Sequence, residues 1–242
     1  MKAGDSIPDI KFCFREGDIR PESGTCPVGG KFIEKSTLEL FSNQRVIIFS
    51  LPGAFTPTCS TYQLPGFENN FDKFREKGID DIYVVSVNDA FVMNAWASDL
   101  GIKNIKIIPD GNCEFTTAMG MNVSKGNLGF GIRSWRYAMV VDNCKIEKIF
   151  EEPGKSDDFS EDPYGETSPE NIMAQLWKCI KFINIGTFLF TSEFFNAEEL
   201  IIGKGNLSNG INIVVEAAPK NTLYNNAREV LSEKETDILI ES

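Results

Sequence analysis

The sequence predicts an α/β protein with a central mixed sheet flanked by helices. Between residues 45 and 111, runs of β-branched residues alternate with segments of helical periodicity, an order typical of parallel strands joined by crossover helices. Further along, the strand-like runs 136–142 and 145–152 are joined by a tight turn at Asn143 and Cys144, which predicts an antiparallel pair. The sheet is therefore expected to be mixed and covered on its faces.

The first strand of this series is the continuous run RVIIFSLP at 45–52, which ends in Pro and Gly and indicates a strand buried on both faces. The segment 54–78 then carries three phenylalanines at spacings of four and three residues, which predicts a helix. Pro65 lies inside that segment and should kink or split the helix. The next predicted elements are a strand at 82–87, a helix at 88–101 and a strand at 105–111.

The end of the first domain is marked by an acidic stretch followed by a helix. Residues 151–166 combine many acids with Pro and Gly, which indicates a solvated loop, with an acidic docking patch as the alternative. Ser168 and Pro169 then suit the N-cap and the first position of a helix. We therefore assign residues 1–182 to one domain and residues 183–242 to a C-terminal extension.

The extension differs in composition from the domain before it. It is rich in Asn and punctuated by Gly, and from residue 210 it is predicted as strand, loop, helix and strand. A piece of this size cannot bury much apolar surface by itself. It would dock on the first domain, pair with another chain or remain loosely ordered.

Composition and charge exclude several classes of function. The chain has 242 residues, with 24 Lys and Arg against 35 Asp and Glu, and a net charge of −11. It therefore offers no basic surface for nucleic acid. Since it contains no His, a Ser/His/Asp or Cys/His pair, a His-ligated metal and an imidazole base are also excluded.

We expect a soluble, cytoplasmic protein with reduced thiols. The opening MKAGDSIPDIKF lacks the basic and apolar regions of a signal peptide, and no apolar stretch approaches the roughly 20 residues of a membrane span. The cysteines are too widely spaced for a CxxC dithiol or a paired zinc knuckle, and without a secretory signal free thiols are the expectation. They are Cys13, Cys26, Cys59, Cys113, Cys144 and Cys179.

Cys59 is the cysteine for which the sequence offers a chemical argument. It lies in SLPGAFTPTCS, where a buried strand leads through a stiff Pro/Gly turn into a helix. Helix N-termini favour the thiolate, which is the nucleophilic form, and Thr56 can point its hydroxyl at the same sulfur. Without His, the activating charge must come from Arg133 or Arg136, and Arg136 begins a strand. The alternative is a buried cysteine in an ordinary turn.

The segment PGAFTPTCS resembles the active-site pattern P-x-x-x-T-x-x-C of the peroxiredoxins, with Pro52, Thr56 and Cys59 in place. The residues of this segment resemble those of the peroxiredoxin 5, or type II, subfamily, and they are similar to the peroxiredoxin part of peroxiredoxin–glutaredoxin hybrids. The similarity extends to DDIYVVSVNDAFVMNAW, IPDGNCEFTTAMGM and GFGIRSWRYAMVVDN, and covers about residues 3–178.

This resemblance implies a thioredoxin-like fold and a thiol-dependent peroxidase that reduces hydrogen peroxide and organic hydroperoxides. By the same resemblance, Cys59 attacks the distal peroxide oxygen and becomes a sulfenic acid, which an external thiol reduces. Thr56 and Arg136 would orient the peroxide and stabilise charge, Pro52 would shield the sulfenate, and Arg133 would support the site. The family implies no metal, haem or flavin, and it implies a homodimer formed through a face beside the active site.

The positions at which related enzymes carry a resolving cysteine are occupied by other residues here. The plant-type position corresponds to Val84, and the animal-type position lies near Glu166. We therefore expect a one-cysteine mechanism resolved by glutathione, glutaredoxin or thioredoxin, with the other five cysteines as noncanonical alternatives. Among these, Cys113 and Cys144 lie in predicted turns and should be the more exposed, and Cys26 lies in a Pro/Gly-rich insertion.

The end of the chain is faintly similar to the start of a glutaredoxin, but the turn that should carry CPxC reads APKNTLYNN. Residues 183–242 are thus predicted as a degenerate partial glutaredoxin-like segment or an unrelated tail. Two hypotheses of function follow from the whole sequence. The first is a peroxidase sustained by a thiol system, and the alternative is a redox relay or sensor in which Cys59 passes oxidation to a protein partner.

Overall fold

The protein is described from a computed structural model. Its described parts are residues 1–19 and 28–176, together with the strand residues 188–197, 200–207 and 212–219. By the proximity of its residues the chain divides into two compact units, Met1–Gln175 and Leu176–Ser242. Each unit is described by itself.

The first unit alternates strands with short helices. In chain order its elements are β1 (Lys11–Ile19), β2 (Val28–Ser36), α1 (Thr37–Phe41), β3 (Arg45–Ser50), a π-helical turn (Cys59–Gln63), α2 (Leu64–Asn69), α3 (Phe71–Glu76), β4 (Asp81–Ser86), α4 (Ala90–Asp99), β5 (Lys106–Pro109), α5 (Glu114–Ala118), β6 (Asn122–Ser124), a 3-10 turn (Gly126–Leu128), β7 (Ile132–Ser134), β8 (Tyr137–Asp142), β9 (Lys145–Glu151) and α6 (Pro169–Gln175).

A five-stranded mixed sheet with the order β5-β4-β3-β8-β9 forms the centre of this unit. The strands β3, β4 and β5 are parallel, whereas β8 pairs antiparallel with both β3 and β9. All six residues of β3 are buried, as its uninterrupted apolar sequence predicts for a central strand with both faces covered. The predicted mixed sheet flanked by helices is confirmed.

The helical segment after β3 is divided, as Pro65 predicts. The π-helical turn ends where the Leu64 N–H donates to the Cys59 carbonyl, and Pro65 stands at the start of α2. Proline has no N–H to continue the regular bonding pattern, so the wider turn precedes it. A second break falls at Asn70, between α2 and α3. The Phe49 ring stacks on the Phe67 ring at 4.1 Å, which fixes α2 against β3.

Two smaller antiparallel pairs accompany the central sheet. β1 pairs with β2, and β6 pairs with β7. Ser36 caps α1, accepting from the Glu39 N–H while the Glu39 carboxylate accepts from the Ser36 N–H. The helix that Ser168 and Pro169 predict begins at Pro169, and the Ser168 hydroxyl accepts from the Asn171 N–H. Residues 177–182, at the end of the predicted domain, lie outside the described residues.

In the second unit the described strands form a three-stranded antiparallel sheet with the order β10-β11-β12. The strands are β10 (Phe188–Ala197), β11 (Leu200–Leu207) and β12 (Asn212–Pro219). The strand predicted after residue 210 corresponds to β12, whereas the helix and last strand predicted beyond it lie outside the described residues.

Within the described residues, no helix is both long enough and apolar enough to cross a membrane.

Candidate active site

Cys59 lies in the first turn of the helical segment that follows β3. The Ser60 N–H donates to the Thr56 carbonyl at 3.0 Å, which starts the helical bonding just before the cysteine. The side chain of Cys59 is fully buried, with 0% of its surface exposed. A buried thiol at a helix start meets free backbone N–H groups and little water, and both conditions affect the reactivity of its sulfur.

The turn between β3 and Cys59 is narrow and held by its neighbours. Asn88 accepts from the Ala54 N–H at 3.0 Å, and Phe55 adopts a left-handed backbone conformation with φ of 61°, which is uncommon for a bulky residue. A Cβ at Gly53 would lie 3.3 Å from the Thr56 methyl carbon and 3.4 Å from Arg133 Nη1. Glycine therefore lets this backbone approach both side chains closely.

The hydrogen bond of the Thr56 hydroxyl differs from the one that the sequence predicts. The hydroxyl donates to the Gly53 carbonyl at 2.7 Å and so closes the turn, instead of giving its proton to the Cys59 sulfur. The carbonyl is a stronger acceptor than a thiol and lies three residues away, within easy reach of a threonine at a turn. The oxygen lone pairs of Thr56 are left to accept from another group. Pro52, half-buried, stands at the start of the same turn.

Arg136 lies directly before β8 and reaches the sulfur of Cys59. Its Nη1 atom is 3.5 Å from Cys59 Sγ and also donates to Gln63 Oε1, while Nη2 donates to Asp162 Oδ1. The side chain is 1% exposed. Burial alone would lower the pKa of Arg136, but the negative charges of the Cys59 thiolate and Asp162 outweigh burial and raise it. The guanidinium is therefore a permanent cation beside the sulfur.

One donor of Arg136 has no partner. Its Nε atom is buried and forms no hydrogen bond within the described part of the chain. An unsatisfied buried N–H is costly in an ordinary core. This N–H is therefore a donor that a further group could use.

Arg133 donates its hydrogen bonds to backbone carbonyls beside the site and not to the Cys59 sulfur. Its Nη1 donates to the Val87 carbonyl at 2.9 Å and its Nε to the Phe130 carbonyl at 3.0 Å. Burial lowers the pKa of Arg133. The two arginines that the sequence offered thus have different positions: Arg136 contacts Cys59, whereas Arg133 bonds to two backbone carbonyls and lies beside Gly53.

The acidic stretch 151–166 is more than a solvated loop, because Glu152 is buried and Asp162 bonds to a buried arginine. Glu152 is buried, and its Oε1 accepts at 2.8 Å from the Gly165 N–H, the Thr167 N–H and the Thr167 hydroxyl. This carboxylate ties the two ends of the loop together. Asp162 then reaches Arg136, whose guanidinium lies 5.7 Å from the centre of the Tyr164 ring.

Sequence reasoning did not identify Gln63, Glu152, Asp162 or Tyr164. One signal was present, since a buried arginine needs a counter-charge and the nearest run of acids in the sequence is this loop. Nothing in the local pattern singles out Asp162 among its acidic neighbours. Gln63 also links the helix to the loop, because its amide nitrogen lies 3.5 Å from the Thr167 hydroxyl.

The four described cysteines, Cys59 included, are free thiols, and the other three differ in accessibility. Cys144 was expected to be exposed in its turn but is buried, with its sulfur 3.8 Å from the Ser42 hydroxyl. The N-terminal segment covers this turn, as the Ile7 N–H donates to the Cys144 carbonyl at 2.9 Å. Cys13 is exposed, whereas Cys113 is half-buried, and burial raises the pKa of its thiol.

Two candidate cysteines, Cys26 and Cys179, lie outside the described residues. Across the residues that are described, no cluster of three or more Cys, Asp or Glu side chains is arranged to hold a metal ion. The site so far consists of a buried sulfur, a fixed cation and a free N–H donor. This combination can stabilise a thiolate and the negative charge that develops on an oxygen as it leaves.

Residues 2–164 match the family model described as Redoxin. A peroxiredoxin of Rhizobium etli is 54% identical over 181 residues, covering 75% of this chain and 97% of its own length. A hybrid peroxiredoxin of Haemophilus influenzae is 51% identical over 155 residues, covering 64% of this chain and 59% of its own length. Among solved structures, the Plasmodium falciparum antioxidant protein, a 1-Cys peroxiredoxin, is 40% identical with a TM-score of 0.65, covering 73% of this chain and 98% of its own.

A thioredoxin-like sheet with a buried cysteine at the helix after its central strand defines the class of thiol-dependent oxidoreductases. This chain belongs to the redoxin family and, within it, to the peroxiredoxins. The predicted family and fold are confirmed, and the protein is a thiol peroxidase.

Proposed function

We propose that this protein reduces hydroperoxides through a one-cysteine cycle on Cys59. The observation that carries the proposal is the contact of 3.5 Å between Arg136 Nη1 and the buried Cys59 sulfur. A cation at this distance favours the thiolate and holds it without a histidine. Neither metal, haem nor flavin enters the cycle, because the electrons come from thiols.

In the first step, the Cys59 thiolate attacks the distal oxygen of the hydroperoxide. An S–O bond forms and the O–O bond breaks, and the departing oxygen takes a proton and leaves as water or an alcohol. Cys59 is then a sulfenic acid. The Nη1 group of Arg136, which already contacts the sulfur, is the donor for the charge on the leaving oxygen, and the lone pairs of Thr56 accept from the hydroperoxide O–H. We assign to Pro52 the shielding of the sulfenate at the start of the turn.

In the second step, external thiols return the sulfur to its reduced state. One thiol condenses with the sulfenic acid to a mixed disulfide and releases water, and a second thiol displaces Cys59 and leaves a disulfide. The plant-type resolving position is occupied by Val84, which has no thiol and is buried in β4. The similarity to a 1-Cys peroxiredoxin supports the same scheme. Glutathione with glutaredoxin, or thioredoxin, would supply the electrons in the cytoplasm.

An exposed apolar surface beside the active site supports a homodimer. Phe55, Leu128, Phe130 and Ile132 are all exposed large side chains. Phe55 lies in the turn before Cys59 and the other three lie just before Arg133, whose Nη1 is 3.4 Å from the Cβ position of Gly53 in that turn. The Arg133 guanidinium lies 5.6 Å from the centre of the Phe130 ring. Large apolar side chains grouped at one face are typical of interfaces, so we assign this face to contact with a second copy.

The cycle is tested by steady-state consumption of hydrogen peroxide with glutathione plus glutaredoxin and, separately, with thioredoxin. We expect sustained turnover with at least one system and none in C59S. Alanine variants of the other five cysteines should each keep the first oxidation of Cys59. Dimedone labelling with mass spectrometry measures the sulfenic acid that this oxidation forms. Rapid single oxidation of Cys59 without turnover in either system would contradict the cycle and favour the redox relay.

A further inference from the structure

Asp162 contacts the arginine of the active site from a loop that sequence alone assigns to solvent. Its Oδ1 accepts from Arg136 Nη2, on the side of the guanidinium away from the Cys59 contact through Nη1. We propose that Asp162 is a positioning residue for peroxide reduction: its carboxylate holds the Arg136 guanidinium so that Nη1 faces the Cys59 sulfur. This inference rests on the roles proposed above for Cys59 and Arg136.

The guanidinium group is planar, so two anchors fix its orientation. Gln63 Oε1 accepts from Nη1 and Asp162 Oδ1 accepts from Nη2. The Nε atom carries no hydrogen bond in the described part of the chain, so the remaining hydrogen-bond partner of the group there is the Cys59 sulfur itself. Without Asp162, Gln63 is the oxygen anchor that remains, and turning Nη1 away from the sulfur breaks fewer hydrogen bonds.

The loop holds Asp162 in place through contacts on both sides of it. Before it, the Lys125 ammonium donates to the Phe159 carbonyl at 3.1 Å, and the Phe159 and Trp135 rings meet at 5.6 Å. After it, the Glu152 carboxylate fixes Gly165 and Thr167. Asp162 therefore lies on a loop segment with defined ends, and its carboxylate is brought to Arg136 by the fold.

The Asp162 side chain is 48% exposed, whereas that of Arg136 is 2% exposed. Water can therefore take the place of the carboxylate in a variant, although the buried guanidinium loses a counter-charge. A variant at this position should fold, and its effect should appear in the reactivity of Cys59. This separates positioning from a structural role.

The test compares D162A with E161A in alkylation of Cys59 by iodoacetamide as a function of pH. Glu161 is the exposed neighbour in the same loop, so E161A removes the same charge without the contact to Arg136. Loss of a nearby negative charge alone would favour the thiolate and move alkylation of Cys59 to lower pH. Loss of the arginine's orientation moves it to higher pH, and this is the result expected for D162A only.

The second readout is the rate constant for oxidation of Cys59 by hydrogen peroxide. We expect it to fall about tenfold or more in D162A, since small displacements of a catalytic group cost this much or more, and to stay unchanged in E161A. D162N keeps an acceptor oxygen at the same place and should lose less than D162A. If D162A does not fold, D162N against E161Q carries the same comparison.

The proposal is overturned if D162A is alkylated at the pH of the unchanged protein or below it, or if E161A moves alkylation to higher pH as far as D162A does. The alkylation measurement uses no peroxide. If Cys59 of the unchanged protein does not react with peroxide, the proposed function fails, and the alkylation result still decides whether Asp162 positions Arg136.

Discussion

The Nη1 atom of Arg136 lies 3.5 Å from the sulfur of Cys59, although 77 residues separate them in the sequence. The pairing of two neighbouring strands explains this proximity. β3 and β8 are antiparallel, with Ser50 opposite Tyr137, so the chain that leaves β3 and the chain that enters β8 lie at the same edge of the sheet. Arg136 precedes β8 and therefore meets the turn and helix that follow β3.

The contact between Arg136 and Cys59 predicts the behaviour of R136M. Methionine fills part of the volume but offers no donor, so the charge on the leaving oxygen is no longer stabilised. We expect oxidation of Cys59 by hydrogen peroxide to slow by about 100-fold, as for loss of an oxyanion donor, and alkylation by iodoacetamide to move to higher pH. Stopped-flow fluorescence measures the first quantity, and alkylation against pH the second.

R133M is the matched control for this experiment, because it also removes an arginine near the site, but one that donates to the Val87 and Phe130 carbonyls. Its alkylation profile should stay near that of the unchanged protein. A shift in R133M as large as that in R136M would show that general positive charge, and not the contact with Arg136, governs the sulfur.

The buried Glu152 predicts a stability effect in E152Q. Its Oε1 accepts three hydrogen bonds, and bonds to a charged acceptor are stronger than those to an amide. We expect the free energy of unfolding to fall by about 2 kcal/mol, measured by urea denaturation at pH 7.

E151Q serves as the comparison for E152Q. Glu151 is an exposed neighbour whose carboxylate pairs with the Lys155 ammonium at 3.2 Å. Its substitution should cost about 0.5 kcal/mol or less, since pairs of this kind add little. Equal losses in the two variants would mean that Glu152 does not close the loop.

Tyr164 predicts a dependence of stability on alkaline pH. Burial, with the negative charge of Glu170, raises the pKa of Tyr164 to about 12, whereas a phenol in the unfolded chain titrates near ~10. Below pH ~10 both states hold the proton. Between pH ~10 and ~12 only the folded state holds it, so unfolding releases a proton and stability falls as pH rises.

Y164F lacks this proton, so it should lose less stability than the unchanged protein between about pH 9.5 and 11.5. Urea unfolding at several pH values measures the difference. Y62F, at an exposed tyrosine, is the control for loss of one phenol. A constant difference between Y164F and the unchanged protein over this interval would refute the expectation.

The burial of Cys144 predicts which thiols react in the folded protein. Cys13 is exposed and Cys144 is buried beneath the N-terminal segment, so iodoacetamide should label Cys13 quickly and Cys144 slowly. Peptide mass spectrometry after timed labelling measures both. In urea the two should react alike, and rapid labelling of Cys144 without denaturant would contradict the structure.

Most of the fold followed from local pattern. The run at β3 is apolar without interruption, and Pro65 divides the helix after it, because both features act over a few residues. The burial of Cys144 could not be predicted from local pattern. A turn with polar neighbours usually faces water, but residues from the far N-terminus cover this one, and no local pattern records that contact.

The sequence by itself determined the family and the class of chemistry, and it predicts Cys59 as the reactive cysteine. Cys59 ends a pattern of eight residues, and because the chain has no His, the sequence predicts arginine as the activating cation. Only the tertiary structure decided that Arg136 contacts the sulfur, that Arg133 bonds to the Val87 carbonyl instead, and that Gln63 and Asp162 accept from the guanidinium. The physical reason is distance along the chain: strand identity depends on near neighbours, whereas the orientation of a buried cation depends on partners 26 and 73 residues away.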